Sequence, residues 1–142
     1  DVAMAIAAAL PGTGVDMLMG VGGTPEGVIA AAALKCLGGS IYGKFYPRSP
    51  EELKAGVEFG FDMEAILSIN DLVSGDNCFF AATGITTGEF LDGAQHLDSS
   101  DGFTGEHHIR TSSVAYRSAT GTVREIRGTH NLTKMEALGI SL

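Results

Sequence analysis

Apolar residues in this chain fall into short runs cut by glycine rather than into one long segment. Residues 16–21 (DMLMGV) have the length and composition of a buried strand, although Leu and Met fill it instead of β-branched side chains. Pro25 then suits a first helical turn, where its missing N–H costs nothing. The alanine-rich run 27–37 stops at Gly38-Gly39, which predicts a helix closed by a glycine C-cap. Strand, glycine turn and helix form the βα unit with which open α/β sheets present ligands at strand C-termini. Residues 1–10 (DVAMAIAAAL) predict an earlier helix capped by Asp1. No strand comes before that helix, so the pattern predicts that further chain precedes it.

Further along, residues 41–46 (IYGKFY) predict a strand, and Ser49-Pro50-Glu51-Glu52 a capping box opening a helix that runs to about Gly60. Residues 65–68 predict a brief strand, 70–73 a helical turn, and 77–83 (NCFFAAT) a fully buried strand. This alternation indicates α/β layering. A short helix is expected around 89–91, and the Asp-, Ser- and Gly-rich stretch 95–105 reads as a surface loop. Residues 106–117 and 122–129, joined by 118–121 (SATG), predict an antiparallel hairpin at a sheet edge. One weak helical turn is expected in the tail from 131 to 142. The fold class expected is therefore α/β, a mixed sheet flanked by helices with a C-terminal antiparallel hairpin.

The length, 142 residues, fits one domain able to bury about 70% of its unfolded surface. The net charge of −8, with Lys and Arg thinly scattered, argues against nucleic acid and anionic membranes as partners. No apolar run reaches the ~18 residues of a membrane helix, and no basic segment opens the chain as a signal peptide would. A cytoplasmic protein is expected. Cys36 and Cys78, within apolar elements and without a CxxC partner, read as reduced core thiols.

Chemistry concentrates in residues 19–27 (MGVGGTPEG), which set one carboxylate, Glu26, at a helix start packed with glycine. Gly22 and Gly23 allow the backbone close to an anion, and the helix start offers unpaired N–H groups with partial positive charge. The same dipole favours ionised Glu26, and an ionised oxygen is what a hard cation requires. The loop matches neither the P-loop nor the dinucleotide fingerprint. Two readings stay open on spacing alone: a meeting point of phosphate and metal, or an acidic residue that merely complements the helix dipole. His96, His107, His108 and His130 lack metal-ligand spacing, Ser112 and Ser113 lack a nucleophile elbow, and Arg110, Arg124 and Arg127 read as solvated strand residues.

The segments DVAMAIAAA, MGVGGTPEGVIAAAALKCLGG, DLVSGDNCFFAATGITTGEFLDG and SATGTVREI, in that order, resemble the C-terminal part of class II fructose-1,6-bisphosphatases; residues 95–108 fit least. The resemblance implies a lithium-sensitive sugar-phosphatase fold, dependent on Mg²⁺ or Mn²⁺, that removes the 1-phosphate of fructose 1,6-bisphosphate in gluconeogenesis. Sedoheptulose 1,7-bisphosphate is a second candidate substrate. By the same resemblance Glu26 is a metal ligand, and Asp1 and Gly23 contact substrate. It assigns no catalytic residue here. The family's remaining metal carboxylates lie in an N-terminal half that this sequence lacks, so the chain is expected to be inactive alone, to need that half as partner, and to form a homo-oligomer. A non-catalytic phosphate- or nucleotide-binding module and a purely structural half are the alternatives.

Overall fold

A computed structural model describes residues 2–98, 101–103 and 107–140. In chain order the elements are α1 (Val2–Ala7), α2 (Thr24–Leu37), β1 (Tyr42–Gly43), α3 (Pro50–Glu58), β2 (Leu67–Ser68), α4 (Ile69–Leu72), β3 (Phe79–Thr83), β4 (Gln95–Leu97), β5 (His108–Arg117), β6 (Thr122–Asn131) and α5 (Leu132–Ala137). Helices flank antiparallel sheets, a mixed α/β layering. All described strand pairs are antiparallel.

β5 is the spine of the main sheet. β6 lies along its whole length on one side, from His108↔Asn131 to Arg117↔Thr122. On the other side β3 pairs with its C-terminal half and β4 with its N-terminal end. The hairpin turn is a single 3₁₀ turn, Ser118–Thr120, closed by Gly121 in the left-handed region (φ 58°), which only glycine adopts at little cost. Because side chains alternate across a strand, Phe80, Val114 and Tyr116 face the helices together. They form the core with Ile6 of α1 and Ala33 and Cys36 of α2. Phe80 and Phe90 both pack on the Tyr116 ring, at 5.7 and 6.4 Å between centroids.

α2 has the bounds its sequence predicts. Gly38 ends it in the left-handed region (φ 75°), and the amides of Gly38 and Gly39 both return to the Leu34 carbonyl. The alanines serve the packing, since Ala31 and Ala33 carry no exposed surface and let the helix lie close on sheet and α1. α2 also anchors the smaller sheet. Lys35 Nζ donates to Asn70 Oδ1 and to the Val73 carbonyl, both at 2.8 Å, tying α4 to the last turn of α2. At α3, Ser49 Oγ accepts from the Glu52 amide at 3.3 Å, while the Glu52 carboxylate reaches the amide of Arg48 rather than that of Ser49.

Several expectations are corrected. Residues 16–21 are not a strand, because no neighbouring strand among the described residues pairs with them, and a strand has no stability without its ladder. The strand expected over 41–46 shrinks to Tyr42–Gly43, since its partner β2 is two residues long. β3 is buried on one face only, because helices cover one side of the sheet; Phe80 is inside and Phe79 outside. No helix forms at 89–91. That segment belongs to a loop closed on itself by hydrogen bonds from Gly88 to Leu91 and from Ala94 to Ile85, while the Gly84 amide ties its start to the Ser112 carbonyl of β5. Within the expected surface loop 95–105, Gln95–Leu97 pairs with β5 and Leu97 is buried. Its residues 99–100 and 104–105 lie outside the described residues.

Candidate functional site

The turn that opens α2 holds two of the three residues singled out by sequence. Gly23 is the N-cap in extended conformation (φ −69°, ψ 149°) and Glu26 lies in the first turn. The helix has Pro25 in its first turn, which has no N–H to offer, and the Gly27 amide is taken by the Gly23 carbonyl at 3.0 Å. The free donors at this end are those of Thr24 and Glu26. Gly22, Gly23, Thr24, Pro25 and Glu26 are all exposed.

Gly23 and Glu26 are brought into contact by the fold. The Glu26 side chain folds back over the N-cap, so that a Cβ added at Gly23 would collide with Glu26 Oε2. A side chain at position 23 would therefore displace the Glu26 carboxylate from the N-cap, a consequence the sequence alone does not show. Glu26 takes no hydrogen-bond or ion-pair partner among the described residues. A carboxylate standing free in the place an anion would occupy repels that anion unless a cation lies between them.

As a metal centre the turn is incomplete. Among the described residues no group of three or more His, Cys, Asp or Glu could hold a metal ion, and Mg²⁺ needs a near-octahedral set of oxygens. One carboxylate does not fit that requirement, and the described residues do not assemble a metal site. Asp1, the third residue singled out, lies outside the described residues. His130 Nε2 and Thr111 Oγ1 are 3.0 Å apart on the hairpin, Ser113 Oγ pairs with Thr83 Oγ1 at 2.8 Å, and Arg110 is 3.8 Å from Asp101, so these side chains serve the sheet.

A cavity of about 590 Å³, which sequence reasoning missed, opens beside the same helix start, between Thr24 and Val28 of α2 and the aromatic walls of Phe45, Tyr46 and Phe61. No Lys, Arg or His lines it. Its carboxylates are already engaged: Glu52 by the Arg48 amide, Asp62 by the Glu64 amide, and Asp71 by Ser68. The Ser68 hydroxyl and amide hold the Asp71 carboxyl below its ordinary range. The cavity is acidic and apolar, unsuited to phosphate. No pattern of spacing announces it, because its walls come from five separate segments.

The two cysteines are free, with Sγ atoms 3.7 Å apart. Burial, then the hydrogen bond and charge of Cys78, push the Cys36 thiol up to about 11. At neutral pH it is a protonated core group, neither nucleophile nor ligand.

Antiparallel sheets flanked by helices place the protein in the α/β class. The particular family follows from comparison. The profile of the family described as "Bacterial fructose-1,6-bisphosphatase, glpX-encoded" matches residues 1–130, and the chain belongs to that family. It is 33% identical to the fructose-1,6-bisphosphatase class 2 of Haemophilus influenzae over 93% of this chain and 41% of the relative. It is 37% identical to the D-fructose 1,6-bisphosphatase class 2/sedoheptulose 1,7-bisphosphatase of Gloeobacter violaceus, over 93% of this chain and 40% of that one. Against the protein of the same name from a Synechococcus strain it is 33% identical over 100% of this chain and 42% of the relative. The chain thus spans about two fifths of the length of these relatives.

Proposed function

We propose that this chain is the C-terminal part of a cytoplasmic class 2 fructose-1,6-bisphosphatase, which hydrolyses fructose 1,6-bisphosphate with water to fructose 6-phosphate and phosphate. The observation that carries the reading is the contact between Gly23 and Glu26 at an exposed helix start, in a chain matched along most of its length by enzymes of that name. Gly23 keeps the backbone bare where the sugar phosphate approaches, and the amides of Thr24 and Glu26 face it. Glu26 supplies one oxygen ligand to Mg²⁺ or Mn²⁺; the others, and most of the sugar contacts, come from the N-terminal part that the relatives have and this sequence does not. Asp1 adds a substrate contact. Two free thiols within 3.7 Å fit a reducing compartment. By this reading the 142-residue chain alone releases no phosphate.

The test is phosphate release from fructose 1,6-bisphosphate with Mn²⁺, in the complete protein and in its Glu26→Ala variant. We expect the variant to lose at least about 100-fold in turnover while remaining folded. Turnover equal to wild type would remove Glu26 from the reaction, and sugar bisphosphate binding by the isolated chain without any divalent ion would favour a non-catalytic module. The same assay with sedoheptulose 1,7-bisphosphate decides the seven-carbon substrate, which two of the relatives carry in their names.

A further inference from the structure

Residues 16–21 combine the composition of a buried strand with the exposure of a loop. Met17, Met19 and Val21 are 71%, 81% and 69% exposed, and Leu18, on the opposite side of the alternation, is 43% exposed. Segments apolar on both faces belong to strands covered on both faces, whereas solvent loops carry polar side chains. Val28 and Ile29, at the start of α2, are exposed as well. Large apolar side chains exposed together along one short segment mark an interface.

We propose that residues 16–21 form a docking strand, which in the complete protein pairs with a strand of the part that the relatives have and this chain does not span, burying Met17, Met19 and Val21. The inference rests on the reading of this chain as a piece of a longer enzyme. About three fifths of each relative lies outside the match, enough for a second sheet. The docked strand runs directly into Gly22, Gly23 and Glu26, so the incoming segment arrives beside the carboxylate that needs further oxygen ligands. A second copy of this chain fits less well. It would bring the same residues again, and among the described ones no metal-binding cluster exists; it also repeats the same net charge of −8. Of the main-sheet strands with an unpaired edge among the described residues, β6 is guarded by Arg124, Glu125 and Arg127, all exposed, and charges on an edge deter pairing, whereas β3 (Phe79–Thr83) carries no such charge. Residues 16–21 have only Asp16 in that role.

Hydrogen exchange on the complete protein tests this without any substitution. Amides of 17–21 are expected to exchange on the order of 100-fold more slowly than in an unstructured peptide, approaching those of Ala30–Leu34 in α2. Exchange within about 10-fold of the peptide rate overturns the proposal, as does protection that vanishes on dilution, which would identify a second copy as the occupant. Met19→Glu in the complete protein is expected to lower the melting temperature by several degrees, and an unchanged value counts against docking. Protection without phosphate release would leave the strand standing and sink the phosphatase reading; release without protection would do the reverse.

Discussion

The two ends of α2 are built from similar residues and live in opposite surroundings. From Ala30 to Cys36 the helix is packed between α1 and the sheet, with Ala31 and Ala33 carrying no exposed surface. From Thr24 to Ile29 it stands almost bare, although Val28 and Ile29 are as apolar as anything in the core. One helix therefore does two jobs. Its C-terminal half stabilises the fold, and its N-terminal turn holds Gly23 and Glu26 exposed, where the proposed function places their chemistry.

That contrast is open to direct attack. The largest effect should come from the buried end: Ile6→Ala, which removes a fully buried side chain packed on Ala33, should cost about 2–5 kcal/mol in urea unfolding. Ala33→Leu, which forces extra volume into the same contact, should cost about 1–3 kcal/mol; a neutral result would mean that α2 and the sheet are looser than described. Next comes an alkaline dependence. Burial raises the Cys36 thiol from an ordinary 9.0 to about 11, so between those values the unfolded chain loses a proton that the folded chain keeps. Stability from this group is intact below about pH 9 and falls as pH rises toward 11. Tyr116, raised by burial and by the charge of Glu125, acts in the same direction at the upper end. Unfolding midpoints against pH should therefore decline less steeply for Cys36→Ala than for wild type, and parallel curves would contradict the buried thiol. The smallest effect on stability belongs to the exposed end. Glu26→Ala should cost under ~1 kcal/mol, the loss of one favourable charge at a helix N-terminus, while turnover of the complete protein collapses. A destabilisation matching that of Ile6→Ala would erase the difference between the two ends.

What could be read from residue order follows the range over which each signal acts. The limits of α2 were legible because Pro25 and Gly38 set them within one turn. The β5–β6 hairpin was legible because its two alternating runs meet across four residues ending in Gly121. β4 was missed because three residues, Gln95–Leu97, carry no pattern and become a strand only by pairing with Arg110, Ile109 and His108. Residues 89–91 looked helical but were taken into the loop that closes between Ile85 and Ala94. At the candidate site, Gly23 and Glu26 were legible as a pair because they are three positions apart at a helix start, whereas their physical contact was not.

Local chemistry alone settles the caps, the hairpin, the reduced thiols and the position of one carboxylate at a glycine-flanked helix start, since each depends on neighbours within a few residues. Only the assembled fold decides which face of β3 is buried, that Cys36 and Cys78 lie side by side, and that residues 16–21 stand without a strand partner among the described residues. Strand pairing and burial are exchanges between distant segments, and their free energy appears only when those segments meet.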